Sequence, residues 1–520
     1  MKASISAGVV ILLVWCMSAV GFHAISYSGG TGEPNDPYLI KTVADWQRLM
    51  SESNDWYDHF LVIADINMAG VAMTPVGNIS NRFEGVLDGG GHVISNVDIN
   101  ELNKDYVGMF GYLGAGGQIK NLGVKDVNIV GGQYVGGLVG YIASSFVYRY
   151  STNILYCYAT GSVLAQKFDS RSGTYRPGNY AGGLAGYNTA GIKGSYAGCR
   201  VKGYSYVGGF TGYNIGMIME CYAMGSVSGG SPTGNGATNI GGFVGYTASG
   251  VISNCYAQGT VTVSGTNYSN IGGFAGYSNT MLRKCFWDME TSGQNVGVGS
   301  GSSFEVYGKT TAEMKTVMTF AEKDWHISDF NGFDGDWIII HEGQDYPKIS
   351  HLVYFDNSLS VPFAGDGNET SPYEIWTAED FIALGHCYNT WDKHICLMAD
   401  IDLSGLAVHP IGNSIRRFTG NFDGQGFVIR NAGMNLPNKD YVGLFGSMGT
   451  NGVVRNLGAE DVNIVGRKYV GGIVGHNLRG EISGCHSSGS VSAVGNSSYA
   501  GDWRDLFSKG KFQTAIIVLK

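Results

Sequence analysis

The feature that most constrains this chain is a ten-residue phrase laid down five times: YVGGLVGYIA at 134–143, YAGGLAGYNT at 180–189, YVGGFTGYNI at 206–215, NIGGFVGYTA at 239–248 and NIGGFAGYSN at 270–279. Its glycine pairs, Gly136-Gly137, Gly182-Gly183, Gly208-Gly209, Gly241-Gly242 and Gly272-Gly273, are 46, 26, 33 and 31 residues apart. A third glycine follows each pair, at Gly140, Gly186, Gly212, Gly245 and Gly276. Each unit holds a few short apolar runs between Gly turns and is too small to bury its own apolar face. Stacked units can bury it, each adding its strands to parallel sheets shared with its neighbours at a rise of about 4.8 Å. The expected fold is all-β: a right-handed parallel β-helix of Gly-rich coils with short capping helices.

Glycine has two uses in such a coil, supplying positive φ or leaving room for the adjacent coil. Alternation of large Leu138 or Phe210 with small Val139 or Thr211 is expected to point the large residue inward. Tyr141, Tyr187, Tyr213, Tyr246 and Tyr277 share one phase and should stack as a half-buried ladder. Cys157, Cys199, Cys221, Cys255 and Cys285 each follow a glycine pair and read as a column of small buried hydrophobes rather than a disulfide framework. Cys387 and Cys396 stand outside that phase, and a bridge between them is left open.

A larger duplication encloses the small one. Residues 38–140 align without gaps to 373–475 at an offset of 335, so PVGNISNRFEGVLDGGGHVI matches PIGNSIRRFTGNFDGQGFVI. Two tandem modules follow, each opened by a helix with a capping signature, Thr42 to Asp45 and Thr377 to Asp380. The first module is expected over 26–350, as an N-terminal cap (26–105), coils (106–288) and a closing cap (289–350) containing a third capping pair, Thr310 and Glu313. A linker (351–370) leads to a second, incomplete module (371–501). Residues 502–520 leave the repeat register, which reads as a truncated or frameshifted frame, with a purposeful tail as the alternative. Residues 1–21, with Lys2 and an apolar run from Ala7 to Val20, read as an export signal cleaved near Gly21 or Ala24. Trp15 before Cys16 disfavours a lipid anchor there, and no later run is long enough to span a membrane.

The GGLVGY unit followed by CYATGSV resembles the GLUG motif of exported bacterial repeat proteins, including surface adhesins and regions flanking streptococcal immunoglobulin A protease domains. Five copies lie in the first module and one in the second (YVGGIVGHN with CHSSGSV), and the resemblance extends over residues 26–501. It implies a secreted or cell-surface β-solenoid and no particular activity.

Chemistry is sparse. With 14% charged residues, net charge −9 and no basic run, nucleic-acid binding is excluded. The coils carry little acid beyond Asp169 and Glu220, which do not share a repeat phase. Asp65 and Asp88 recur as Asp400 and Asp423, where Asp88 and Asp423 begin Asp-Gly turns. His341-Glu342 lacks the second histidine of a zinc-protease motif, and no Gly-x-Ser-x-Gly elbow occurs. One loop, DFNGFDGDW, sets Asp329, Asn331, Asp334 and Asp336 at calcium-like spacing without a distal Glu; a solvated acidic turn is the default reading. No cofactor is expected. The expectation is a non-enzymatic stalk or adhesin-like scaffold whose Tyr- and Asn-bearing face meets an extracellular glycan or surface protein. The alternative is a carbohydrate-active β-helix enzyme with a site on loops 142–156 or 165–179.

Overall fold

The structure is a computed structural model. It describes residues 27–144, 152–169, 174–329, 336–339, 342–353, 363–387, 390–406, 408–413, 417–495 and 517–519; the export signal, residues 145–151, Asn331, Asp334 and most of the C-terminal tail lie outside them.

One coil shows the rule. Residues 181–202 run through four short strands, Ala181–Gly182, Ala185–Asn188, Gly191–Lys193 and Tyr196–Lys202. Each pairs in parallel with the same phase of the next coil: Gly182 opposes Gly208, Tyr187 opposes Tyr213, Ile192 opposes Ile218 and Ala197 opposes Ala223. Repeating this builds four side sheets, one of them nine strands long from Tyr38–Ile40 to Met281–Arg283. The fold is therefore a β-solenoid, because each strand finds its hydrogen-bonding partners one coil away.

The corners correct the expectation about glycine. Positive φ is carried by the residue that opens the repeated phrase: Tyr134, Tyr180 and Tyr206, then Asn239 and Asn270, at φ 55 to 62. Gly136, Gly137 and Gly140 are not left-handed; they are small because the next coil is too near. A Cβ on Gly183 would run into the carbonyl oxygen of Gly209, and one on Gly140 would lie 2.7 Å from that of Gly111. Of the two uses of glycine, close backbone approach applies here.

The interior is a set of columns. Phe210, Phe243 and Phe274 stack at 4.8 and 4.9 Å. Val139 and Thr211, expected to alternate outward, are buried beside Leu138 and Phe210, because the turn at the glycine pair breaks the period of two. The cysteine column also needs amendment. Tyr158 pairs with Tyr196, which places Ser195, not Cys199, beside Cys157. Ser195 Oγ accepts from the Cys157 amide at 3.0 Å and donates to the Lys193 carbonyl at 3.0 Å. Cys199 lies opposite Gly161 and is buried there. The asparagines of the YN dipeptides point inward: Asn188 Nδ2 donates to Asn214 Oδ1 at 2.8 Å, and Asn214 Nδ2 reaches Thr247 Oγ1 at 3.3 Å. The exposed face thus presents tyrosine without these asparagines.

Both modules open on a helix, Val43–Ser51 and Ala378–His386, each with a reciprocal capping box. The indoles Trp56 and Trp391 tie the helix ends by donating to the Leu49 and Leu384 carbonyls, at 2.7 and 2.9 Å. At the other end of the first module, the expected closing cap divides in two. Val298–Gly301 and Val306–Lys309 pair with the preceding coil and continue the solenoid. Thr310 and Glu313 then exchange capping bonds at the start of a short 3₁₀ turn. The chain next folds back along the side of the rod instead of across its end. Phe320, Trp325, Trp337, Ile349 and Leu352 cover a column of Tyr158, Tyr222, Tyr256 and Phe286. Tyr256 donates to the Pro347 carbonyl at 2.5 Å. His351 and Leu352, expected in the linker, belong to this cover, and Phe363 packs into the second core. Among the described residues no sheet contains strands of both modules. In the tail, Ile517–Leu519 pairs in parallel with 487–489.

Candidate functional site

The most extended surface feature is a wall of two tyrosine ladders. Tyr112, Tyr141, Tyr187, Tyr213, Tyr246 and Tyr277 stack in sequence, with ring centroids 4.5 to 4.9 Å apart. Beside them Tyr106, Tyr134, Tyr180 and Tyr206 stack at 4.8 Å. Edge-to-face contacts such as Tyr134 to Tyr187, at 5.7 Å, join the two columns. The second ladder ends in Asn239 and Asn270, with Asn270 Nδ2 donating to Asn239 Oδ1 at 2.9 Å. Burial pushes the Tyr141 phenol up to about 12 and raises Tyr187 further, so these two hydroxyls stay neutral donors. Between the end rings of each ladder, every ring face is occupied by the ring of the neighbouring coil, which leaves ring edges and hydroxyls for a partner along the ladder.

The duplicated carboxylates are turn-holders. Asp88 Oδ1 accepts from the Gly90 amide and Asn121 Nδ2, both at 3.0 Å, and Oδ2 lies 3.2 Å from Lys120. Asp423 repeats this with the Gln425 amide, Asn456 and Arg455. Asp65 holds the Val93 amide and His92, while Asp400 holds the Val428 amide and Arg430. Their acceptor capacity goes to the coil below.

The side cover gathers titratable groups that no repeat phase announces. Lys193 and Glu220 pair at 3.3 Å. Burial, with the negative charge of Asp336, pushes the Glu220 carboxyl above its usual range. Asp336 itself lies 3.3 Å from His326. Further along, His351 stacks on Tyr156 at 3.8 Å and meets Asn121 Oδ1 at 3.1 Å. Burial lowers its pKa to about 4, against the opposing pull of Asp88. Sequence reasoning missed this corner because half of it arrives on the returning segment. Tyr156 and Glu220 do share a left-handed corner, at φ 52 and 54, which a per-coil alignment of that corner would have revealed.

The calcium candidate is divided: Asp336 lies against the His326 ring, Asp329 ends a strand, and Asn331 and Asp334 lie outside the described residues. Among the described residues no group of three or more His, Cys, Asp or Glu is placed to hold a metal. Cys387 and Cys396 are free and buried, as are the six described cysteines of the coils. Burial pushes Cys157 and Cys285 up to about 12, so they are inert thiols. Of the loops of the alternative reading, residues 166–169 pair antiparallel with 174–177, and 145–151 and 170–173 are outside the described residues. No described helix is long and apolar enough to cross a membrane.

The family model described as the GLUG motif matches residues 131–164, 236–262 and 466–492, so coils of both modules carry GLUG repeats. Over 91% of its length the chain is 24% identical to halomucin of Haloquadratum walsbyi, and it corresponds to 6% of that protein. Over 124 residues, 22% of the chain, it is 31% identical to a "Putative Gly-rich membrane protein" of Evansella cellulosilytica, corresponding to 14% of that protein. The chain thus spans a small fraction of these curated relatives. Among solved structures, a "putative immunoglobulin A1 protease" from Bacteroides ovatus overlays with a TM-score of 0.45 at 23% identity, over 62% of this chain and 95% of that one.

Proposed function

We propose that the chain is a non-enzymatic secreted or cell-surface scaffold, a stiff GLUG-repeat rod that holds itself and its tyrosine wall outside the cell. The observation that carries this reading is the engagement of side chains by the neighbouring coil. Ring faces stack on ring faces, and the paired carboxylates of the coils are spent on turn amides and cations one coil away. A protein organised in this way resists bending and offers a partner a periodic row of phenol hydroxyls. The names of the similar proteins, halomucin and a Gly-rich membrane protein, agree with a surface location. The partner we favour is an extracellular glycan, held by hydroxyl hydrogen bonds and ring edges, since the ring faces are occupied. Binding of the purified chain to a polysaccharide panel, compared with a Tyr141→Ala/Tyr187→Ala/Tyr213→Ala variant of unchanged circular dichroism, tests it. Retention that is equal in both proteins would remove the wall from the account.

A second reading has one observation in its favour, the raised Glu220 carboxyl beside Lys193 and Asp336 under the cover. In that reading Glu220 would serve as the general acid of a carbohydrate-active enzyme. Product release from the same panel, abolished by Glu220→Gln, would replace the scaffold with the enzyme.

A further inference from the structure

The duplication supplies its own comparison for one cavity. In the second module an open cavity of about 370 Å³ is lined by Trp391, Asp392, Arg417, Thr419, Gly449, Thr450 and Leu478. The offset of 335 places Arg417 on Arg82, Thr419 on Glu84, Ser447 on Tyr112 and Gly449 on Gly114. In the first module that space is filled from within. The Glu84 carboxylate lies directly against Gly114 and accepts from the Gly116 amide at 2.7 Å. The Arg82 guanidinium sits 5.0 Å from the centre of the Tyr112 ring.

In the second module both fillers are gone. Threonine at 419 is too short to carry a carboxylate to the amide of residue 451, which corresponds to Gly116. Serine at 447 offers no ring and turns to His476 at 3.3 Å. Arg417 is left with its Nε buried and without a hydrogen-bond partner among the described residues. Its charge is felt nearby, since burial and then Arg417 lower the pKa of His476. A buried guanidinium N–H without an acceptor is costly, and Arg417 lines a space that the sister module fills with a carboxylate. The acid on the rim, Asp392, is paired with Lys393 at 3.2 Å.

We propose that this cavity binds a carboxylate-bearing sugar unit, a hexuronate or related sugar acid. Arg417 would take the carboxylate in the place that Glu84 fills in the first module. The amide of Asn451, Thr419, Thr450 and Asp392 would meet the ring hydroxyls. The volume lies at the small end of the range for ligand sites, suited to one sugar residue rather than an extended chain. The site is separate from the tyrosine wall, so failure of either leaves the other standing.

The test uses the full chain, with glucuronate and galacturonate as probes and acetate and glucose as controls, read by calorimetry and saturation-transfer NMR. Saturable uronate binding is expected at least tenfold tighter than either control. Arg417→Met should weaken it tenfold or more. Thr419→Glu, which restores the internal carboxylate, should abolish it while leaving the thermal transition of the chain in place. Acetate binding as tightly as the uronates would overturn the sugar assignment. Uronate binding that survives both substitutions, or none up to tens of millimolar, would overturn the site.

Discussion

Val163 and Val491 occupy the same position in two copies of one coil, yet Val163 is 1% exposed and Val491 is 40% exposed. Each pairs with the preceding strand in the same way, Val163 with Ile129 and Val491 with Ile464. What differs is the far side: Val163 has a further strand, with Val201 opposite it, whereas the strand beyond Val491, Ile517–Leu519, pairs only as far as Gly489 and leaves Val491 unopposed among the described residues. A solenoid coil is thus completed by its successor, and burial here belongs to the stack rather than to the sequence of a single repeat. The modules are otherwise close in construction, down to the indole tie of each opening helix and the Asp-Asn-cation clasp at Asp88 and Asp423.

The largest predicted difference between the modules comes from glycine. Gly183→Ala would force a Cβ into the backbone oxygen of Gly209, whereas the first obstacle to Gly472→Ala is the Ser487 hydroxyl, which can rotate away. Denaturant titration should show a loss of about 3–5 kcal/mol for Gly183→Ala and less than about 1 kcal/mol for Gly472→Ala. Equal losses would break the comparison. Next in size, Val163→Ala should cost about 2 kcal/mol and Val491→Ala about 0.5 kcal/mol, in proportion to the area each hides.

A third difference concerns the side cover, whose buried aromatic and aliphatic residues pack against the tyrosine column of the first module. His351 is held neutral there, its pKa lowered from 6.5 to about 4. Its contribution is therefore present above pH 6.5 and is lost as pH falls toward 4, a change on the order of 3 kcal/mol at most. Trp325 and Trp337 fluorescence should report the cover loosening across that window, and His351→Phe should remove the step. A step unchanged in His351→Phe would assign it to another group. The smallest effect is in thiol accessibility. Cys485, 6% exposed in the last described coil of the second module, should alkylate before Cys157, which is fully buried in mid-stack. Mass spectrometry of briefly treated native protein measures the order, and Cys157 reacting first would contradict it.

How much of this was legible follows from where each signal lies. Phrases recurring in phase disclose the stack, and an unbroken offset of 335 discloses the duplication, because both are properties of a line of text. The opening helices were equally readable, since a capping box is local. Partners that come from the adjacent coil were not. The inward turn of Asn188 depends on Asn214, and the seat of Ser195 beside Cys157 depends on a strand register that spacing from the glycine pair misplaces. The return of 310–353 along the flank was hidden as well, because its apolar residues match a column of tyrosines that reads as surface. Tyr134, Tyr180 and Tyr206 at positive φ run against ordinary preference, and stacking on the neighbouring ring offsets that cost.

The central claim is axial stacking in register, and short-range cross-linking tests it most directly. With cysteines placed at pairs of ladder positions, Tyr213→Cys with Tyr246→Cys should couple readily through a short bifunctional thiol reagent, since neighbouring coils lie about 4.8 Å apart. Tyr213→Cys with Tyr277→Cys, two coils apart at about 10 Å, should not. Coupling of the second pair as fast as the first, or none in the first, would contradict the stack and the rod built on it.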